Sequence, residues 1–263
     1  MQPRSETHLI FPDMHFPEWH EPTFRSVLEF MSNVNVASVT WLGDQLDLSE
    51  ISRWNVSKPG LKKRGALRNN LDAFSSSVLD PIDALLRPNA IKRWHTGNHE
   101  RAIADLYEGQ PELDGMCDLN DYLKLSARGY EIIPLGGMSQ LGHLTLIHGD
   151  GVGSGKYIAN KLVDTHCTNI VMGHVHAASS FTKVAASNST RKWMGTTLPT
   201  MGTINPAFAR NRPNGHTNGF GIVELFDDQF NLYTVVTDTI TGKFAYAGEV
   251  YGGTPTPKPR KRK

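Results

Sequence analysis

At 263 residues and 29.2 kDa, with 39% hydrophobic residues, 20% charged residues and a mean hydropathy of −0.36, the chain is long enough to bury roughly three quarters of its unfolded surface. These values exclude a disulfide-stapled mini-protein and a disordered chain, and no apolar run approaches the ~20 residues that a membrane-spanning helix needs. The net charge of +1 hides an asymmetry, because the last ten residues carry five of the 27 basic side chains and no acid, leaving 22 basic against 26 acidic residues in the body.

Residues 1–16 hold too short an apolar stretch for an export signal, so a cytoplasmic location is expected. A buried strand is predicted over residues 9–11, ending at Pro12 and Asp13. Phe24, Val27, Leu28 and Met31 then fall on one helical face, opened by Pro22. A second apolar run, 36–42, ends at Gly43 and Asp44. A basic stretch follows from Arg53 to Arg68, with Lys58, Lys62, Lys63 and Arg64 between. It would suit a polyanion or simply a solvated face. Leu67, Leu71, Phe74, Val78, Ile82 and Leu85 repeat helical spacing, and Pro81 should kink or divide that helix.

Further strands are predicted over 90–95, before Gly97 and Asn98, over 144–147, before His148, and over 170–172, before Gly173 and His174. The glycine-rich segment 149–156 is not a phosphate loop, because Asp150 and Tyr157 stand where that pattern needs Gly and Ser or Thr. It leads instead into a helix suggested by Tyr157, Ile158, Lys161 and Leu162. Residues 179–218 show no clear period. Residues 220–251 are β-rich, with turn signals at Asp227, Asp228, Thr241 and Gly242, and read as an antiparallel meander. Alternating prolines then end the fold, giving one domain over 1–252 and a basic, Pro-rich disordered tail over 253–263. Cys117 and Cys167 lack metal or redox spacing and are expected to be buried free thiols. Alternating strands and helices make the fold α/β.

The strand ends carry the chemistry. In order they present Asp13 and His15, Gly43 and Asp44, Gly97 to Glu100, His148, then Gly173, His174 and His176. In open α/β sheets, functional groups gather beyond the carboxyl ends of strands. Two nearby divalent cations repel unless an anion lies between them, and a carboxylate with two oxygens can bridge both, so Asp44 is the candidate bridge. The glycines before Asp44, Asn98 and His174 would let the backbone bring these groups inward. Taken singly, Asp13 could merely cap a turn, and His8, His20, His95, His143, His166 and His216 stay unassigned.

These blocks, DxH, GD, GNHE, H and GHxH in that order over residues 13–176, resemble the signature of the calcineurin-like metallophosphoesterases. The resemblance implies a β-sandwich of two mixed sheets flanked by helices, with residues 220–251 in the second sheet. It also implies two divalent metal ions. Asp13, His15, Asp44 and His176 would hold the first, and Asp44, Asn98, His148 and His174 the second. A donor set of nitrogen and oxygen suits Mn²⁺, Fe, Zn²⁺ or Ni²⁺, with Mn²⁺ expected in assays. His99 would be the acid that serves the leaving oxygen, and Asp47 would orient it. The implied reaction is phosphate-ester hydrolysis by in-line attack of a metal-bound hydroxide.

The Ser/Thr protein phosphatases of that family continue their second block as GDxxDRG, whereas Leu48 and Ser49 follow Asp47 here. GHVH is closer to the phosphodiesterase and nuclease branches. Arg53 and Arg101 are candidate phosphate contacts, and Trp54 could stack on a base or simply pack. A phosphodiesterase or nuclease acting on nucleic acid or nucleotides is therefore expected. The alternatives are a phosphomonoesterase and a non-catalytic nucleic-acid-binding module.

Overall fold

The computed structural model describes residues 5–52, 66–116, 118–206, 213–227 and 229–253. Arg53, Trp54, most of the basic stretch, Cys117 and the tail beyond residue 253 lie outside the described residues. In chain order the elements are β1 (Glu6–Phe11), α1 (Glu21–Asn33), β2 (Val36–Trp41), α2 (Ala66–Phe74), α3 (Asp80–Leu85), β3 (Ile91–His95), α4 (Ala102–Gly109), α5 (Leu119–Leu123), β4 (Tyr130–Ile133), β5 (Met138–Leu141), β6 (Leu144–Ile147), α6 (Ile158–His166), β7 (Asn169–Met172), β8 (Ser179–Ala185), β9 (Asn188–Thr197), β10 (Gly219–Phe226), β11 (Gln229–Val236), β12 (Phe244–Tyr246) and β13 (Glu249–Tyr251).

Two mixed sheets form. The first has the order β11-β10-β1-β2-β3-β4, with β1 to β4 parallel, and the second β5-β6-β7-β9-β8, with β6, β7 and β9 parallel. Alternation along β1 sorts the layers: Leu9 and Phe11 pack with Phe24, Phe30, Phe74 and Trp41, while Ile10 packs with Leu144, Leu146, Val171 and Leu198 of the opposite sheet. One face of the first sheet therefore buries helices α1 to α3, and the other meets the second sheet. Ile158 and Leu162 of α6 cover the outer face of that second sheet through Ile170 and Met172. The arrangement is an α/β sandwich of two sheets flanked by helices. Among the described residues no helix is long and apolar enough to cross a membrane.

Pro81 interrupts the α-helical register without ending the helical run: a π-helical segment over Ser75–Leu79 lies between α2 and α3, with Leu79 and Asp80 helical and Asp80 N–H bonded to the Ser75 carbonyl.

Three expectations change. Residues 220–251 are not in the second sheet: β10 pairs antiparallel with β1, so β10 and β11 extend the first sheet, and β12 with β13 forms a separate hairpin. The reason is that β2 covers only one edge of β1, and β10, buried over its first five residues, supplies the ladder for the other. Residues 179–218 contain β8 and β9. They lacked a readable period because β8 lies at the sheet edge with most of its residues at least partly exposed, so no apolar alternation is imposed on it. Cys167 is exposed, not buried, because it closes α6 in the left-handed conformation, φ +48°.

Candidate metal centre

Asp13 and His15 follow β1, Asp44 follows β2, Asn98 and His99 follow β3, His148 follows β6, and His174 and His176 follow β7. Both sheets turn the carboxyl ends of these parallel strands toward one place. The loops are joined there by backbone bonds, Asp13 N–H to the Gly43 carbonyl at 3.2 Å and His15 N–H to the Asp44 carbonyl at 2.9 Å. Asp13, His15, Asp44, His174 and His176 all have φ between +40° and +65°. A left-handed residue other than glycine costs roughly 1 kcal/mol. Five of them in one cluster mark strain that the surrounding fold holds in place.

The glycines do more than turn the chain. A Cβ on Gly97 would lie 2.2 Å from Asp44 Oδ1, one on Gly43 (φ +95°) 2.5 Å from His148 Nδ1, and one on Gly173 2.5 Å from Asp13 Oδ2. The room each glycine leaves is filled by a candidate ligand.

The nitrogen and oxygen atoms of these side chains converge. His15 Nε2 and His176 Nε2 are 3.0 Å apart, with Asp13 Oδ1 3.5 Å from the latter. His148 donates Nδ1–H to the Leu42 carbonyl at 2.9 Å, so in the neutral ring Nε2 carries the lone pair. That nitrogen faces the Asn98 carbonyl oxygen at 3.0 Å and Asp44 Oδ2 at 3.3 Å, both acceptors. Three groupings have ligand atoms close enough to hold an ion: Asp13, His15 and His176; Asp44, His148 and His174; and His15, Asp44 and His99. Asp44 belongs to two of them.

Charge follows from burial. Asp13 and Asp44 are almost wholly buried. Burial opposes their ionisation, but His176 beside Asp13 and His148 beside Asp44 hold both below the usual carboxylate range. Burial also opposes protonation of His99 and His148. It is outweighed by Asp47 and Asp44 for His99 and by Asp44 for His148, and both rise to about 10. Buried carboxylates thus draw positive charge into the cluster, either as protons on imidazole or as a cation that takes the Nε2 lone pairs. A converging set of carboxylate oxygens, imidazole nitrogens and one amide oxygen fits a divalent cation of intermediate softness.

His99 donates Nδ1–H to the backbone carbonyl of Asp47 at 2.8 Å, and the Asp47 carboxylate lies 3.3 Å from the same nitrogen and 3.6 Å from His15 Nδ1. Asp47 therefore touches His99 as expected, and His15 as well.

Two side chains at the centre escaped sequence reasoning. Glu100, 4% exposed, accepts four backbone N–H bonds: Gln45 at 2.7 Å and Leu46 at 3.1 Å on Oε1, Asp44 at 3.0 Å and Gly97 at 2.8 Å on Oε2. It staples the Asp44 loop to the Asn98 loop. Burial and Asp44 push its carboxyl upward while the N–H donors pull it down. His216, one of the unassigned histidines, packs its ring edge-on against His176 with centroids 4.8 Å apart. Gly215 before it repeats the glycine–histidine pair seen at Gly173 and His174, the one signal in the sequence that could have found it. Arg101 Nε–H donates to Asp105 Oδ1 at 3.0 Å, and Arg101 lines a cavity of about 600 Å³ with Glu100, Trp94, Tyr107 and Leu119. Arg53 lies outside the described residues.

No family model matches the chain, and no curated protein matches it. Solved structures similar to it include Vacuolar Protein Sorting 29 from Cryptosporidium parvum, with 14% identity and a TM-score of 0.46 over 95% of this chain and 96% of that one. Another is a single mutant of Vps29 from Entamoeba histolytica, with 10% identity and a TM-score of 0.45 over 94% and 99% of the two chains. Likeness this loose carries nothing about activity.

Proposed function

We propose that this chain is a metal-dependent phosphoesterase that hydrolyses phosphodiesters of nucleic acid or nucleotides with two divalent cations, Mn²⁺ foremost. The observation that carries the reading is the meeting of carboxylate oxygens and imidazole nitrogens around Asp44, at loops whose backbones are strained to bring them there. Asp13, His15, Asp44 and His176 would hold one cation and Asp44, Asn98, His148 and His174 the other. Bound there, the ions would supply Lewis acidity toward a phosphoryl oxygen and hydroxide at neutral pH.

The chain's own residues do the rest. His99 donates Nδ1–H to the Asp47 carbonyl, and the neighbouring Asp47 and Asp44 carboxylates favour its imidazolium form, whose Nε2–H is the proton available to the departing ester oxygen. Asp47 fixes that ring and spans to His15, which ties the acid to the first group of ligands. Glu100 keeps the Asp44 and Asn98 loops in register. The preference for a diester rests on the sequence: Leu48 and Ser49, not Arg and Gly, directly follow Asp47, and the basic run from Arg53 to Arg68 comes after the Asp44 loop.

The test is the full chain loaded with Mn²⁺ and offered p-nitrophenyl phosphate and bis-p-nitrophenyl phosphate, then single- and double-stranded DNA and RNA. Turnover of the diester, abolished by Asp44→Ala or His99→Ala in folded protein, supports the reading. Preference for the monoester would make it a phosphatase. Metal loading without turnover, together with salt-sensitive retention of DNA or RNA, would make it a binding module.

A further inference from the structure

Four imidazoles stand in a row across the centre, each edge-on to the next: His99 on His15 with centroids 4.5 Å apart, His15 on His176 at 4.9 Å, and His176 on His216 at 4.8 Å. The inner two belong to the candidate ligand set. His99 packs against His15, and His216 packs against His176. We propose that His216 contacts the substrate, donating a hydrogen bond to a phosphoryl or ester oxygen of the phosphate ester beside His176. This assignment rests on the phosphoesterase reading.

The placement is specific. Residues 213–215 are exposed and His216 is half-buried, so the ring stands where the surface enters the cluster. The loop is held on both sides of the ring. His216 N–H donates to Asn214 Oδ1 at 3.0 Å, and Thr217 N–H donates to the His176 carbonyl at 3.0 Å. The ring itself is uncommitted: its Nδ1 is buried without a partner, and among the described residues no group hydrogen-bonds either ring nitrogen.

Buried histidines elsewhere pair one ring nitrogen: His8 Nδ1 reaches Ser38 Oγ at 2.7 Å and His95 Nε2 reaches Ser139 Oγ at 2.8 Å, while His8 Nε2 and His95 Nδ1 are buried without a partner. Leaving a buried ring nitrogen unpaired beside a cluster of ligating side chains is unfavourable unless a molecule outside the chain completes it. Packing against His176 alone would have been met by any ring.

The experiment uses the full chain loaded with Mn²⁺ and three variants: His216→Ala, His216→Phe and His216→Gln. Phe keeps the edge-on contact with His176 but removes the nitrogens, whereas Gln restores a donor. Inorganic phosphate affinity is measured by calorimetry, metal content by elemental analysis, and kcat and KM with bis-p-nitrophenyl phosphate. Ala and Phe should both weaken phosphate binding and raise KM by roughly 10- to 100-fold, Gln should recover part of the loss, and metal content should stay at the unmodified level. If Ala does not fold, Phe and Gln carry the comparison. Phosphate binding by the Phe variant equal to that of the unmodified chain would overturn the assignment, and so would loss of metal in step with loss of binding. An unmodified, metal-loaded chain that neither binds phosphate nor turns over either ester would overturn the phosphoesterase reading together with it.

Discussion

Replacing Glu100 with Gln removes one oxygen and one charge while keeping the shape. The carboxylate accepts N–H bonds from Asp44, Gln45, Leu46 and Gly97 at 2.7–3.1 Å. An amide can accept on one side only, so either the Gln45 and Leu46 pair or the Asp44 and Gly97 pair would face an NH₂ group, donor against donor. Hydrogen bonds to a charged group contribute about 1.5–3 kcal/mol each, so losing two amounts to about 3–6 kcal/mol before relaxation. That is a large share of the 5–15 kcal/mol typical of a folded domain. Relaxation would move Asp44 or Gly97, and Asn98 with it, so affinity for Mn²⁺ should fall together with stability. Urea unfolding and calorimetric Mn²⁺ titration of Glu100→Gln measure both. Stability within about 0.5 kcal/mol of the unmodified chain, with unchanged Mn²⁺ affinity, would mean that Glu100 already carries a proton and that the staple is not ionic.

Gly97→Ala and Gly43→Ala should each lower metal content at a fixed Mn²⁺ concentration by at least about tenfold, because the new Cβ takes the place of Asp44 Oδ1 or His148 Nδ1. Elemental analysis after dialysis checks this, and full loading would refute it. Acid should weaken the fold before the carboxylates titrate. Burial lowers His8 and His95 to about 4 from the ordinary 6.5, so both stay neutral in the folded chain while the unfolded chain takes up protons. Their stabilisation is therefore complete above pH 6.5 and is lost as pH falls from 6.5 toward 4, for His95 by up to roughly 1.4 kcal/mol per pH unit. His95→Gln should flatten that slope in urea midpoints taken between pH 7 and 4.5, and an unchanged slope would exclude His95 as a source. Chelation should lower the melting temperature of the unmodified chain, since a ligand at 100 times its Kd contributes about 2.7 kcal/mol. Asp13→Asn, which removes a ligand of one ion only, should show a smaller shift, and an equal shift in both would place the metal elsewhere.

What was legible in the sequence follows from how each feature is encoded. Asp13, Asp44, Asn98, His148 and His174 could be read because each sits just beyond the buried end of a strand, and most are announced by a glycine that the packing requires. The interrupted helix could be read because Pro81 acts locally. The neighbour of a strand is not encoded in its own pattern: β10 reads the same whether it joins β1 or the opposite sheet, and only the open edge of β1 decides. β8, with most of its residues partly or fully exposed, offers no period to read. Glu100 stood inside a motif, yet its four bonds go to backbone amides, which no side-chain pattern reports. His216 lies 40 residues beyond His176 and reaches it only through the pairing of Thr217 with the His176 carbonyl.

The account stands most directly on metal stoichiometry. The full chain equilibrated with Mn²⁺ and freed of excess should retain two ions per chain by elemental analysis, and Asp44→Ala, which removes the carboxylate common to two ligand groupings, should retain no more than one. A chain that retains no metal, or an Asp44→Ala variant that still retains two ions, would contradict it.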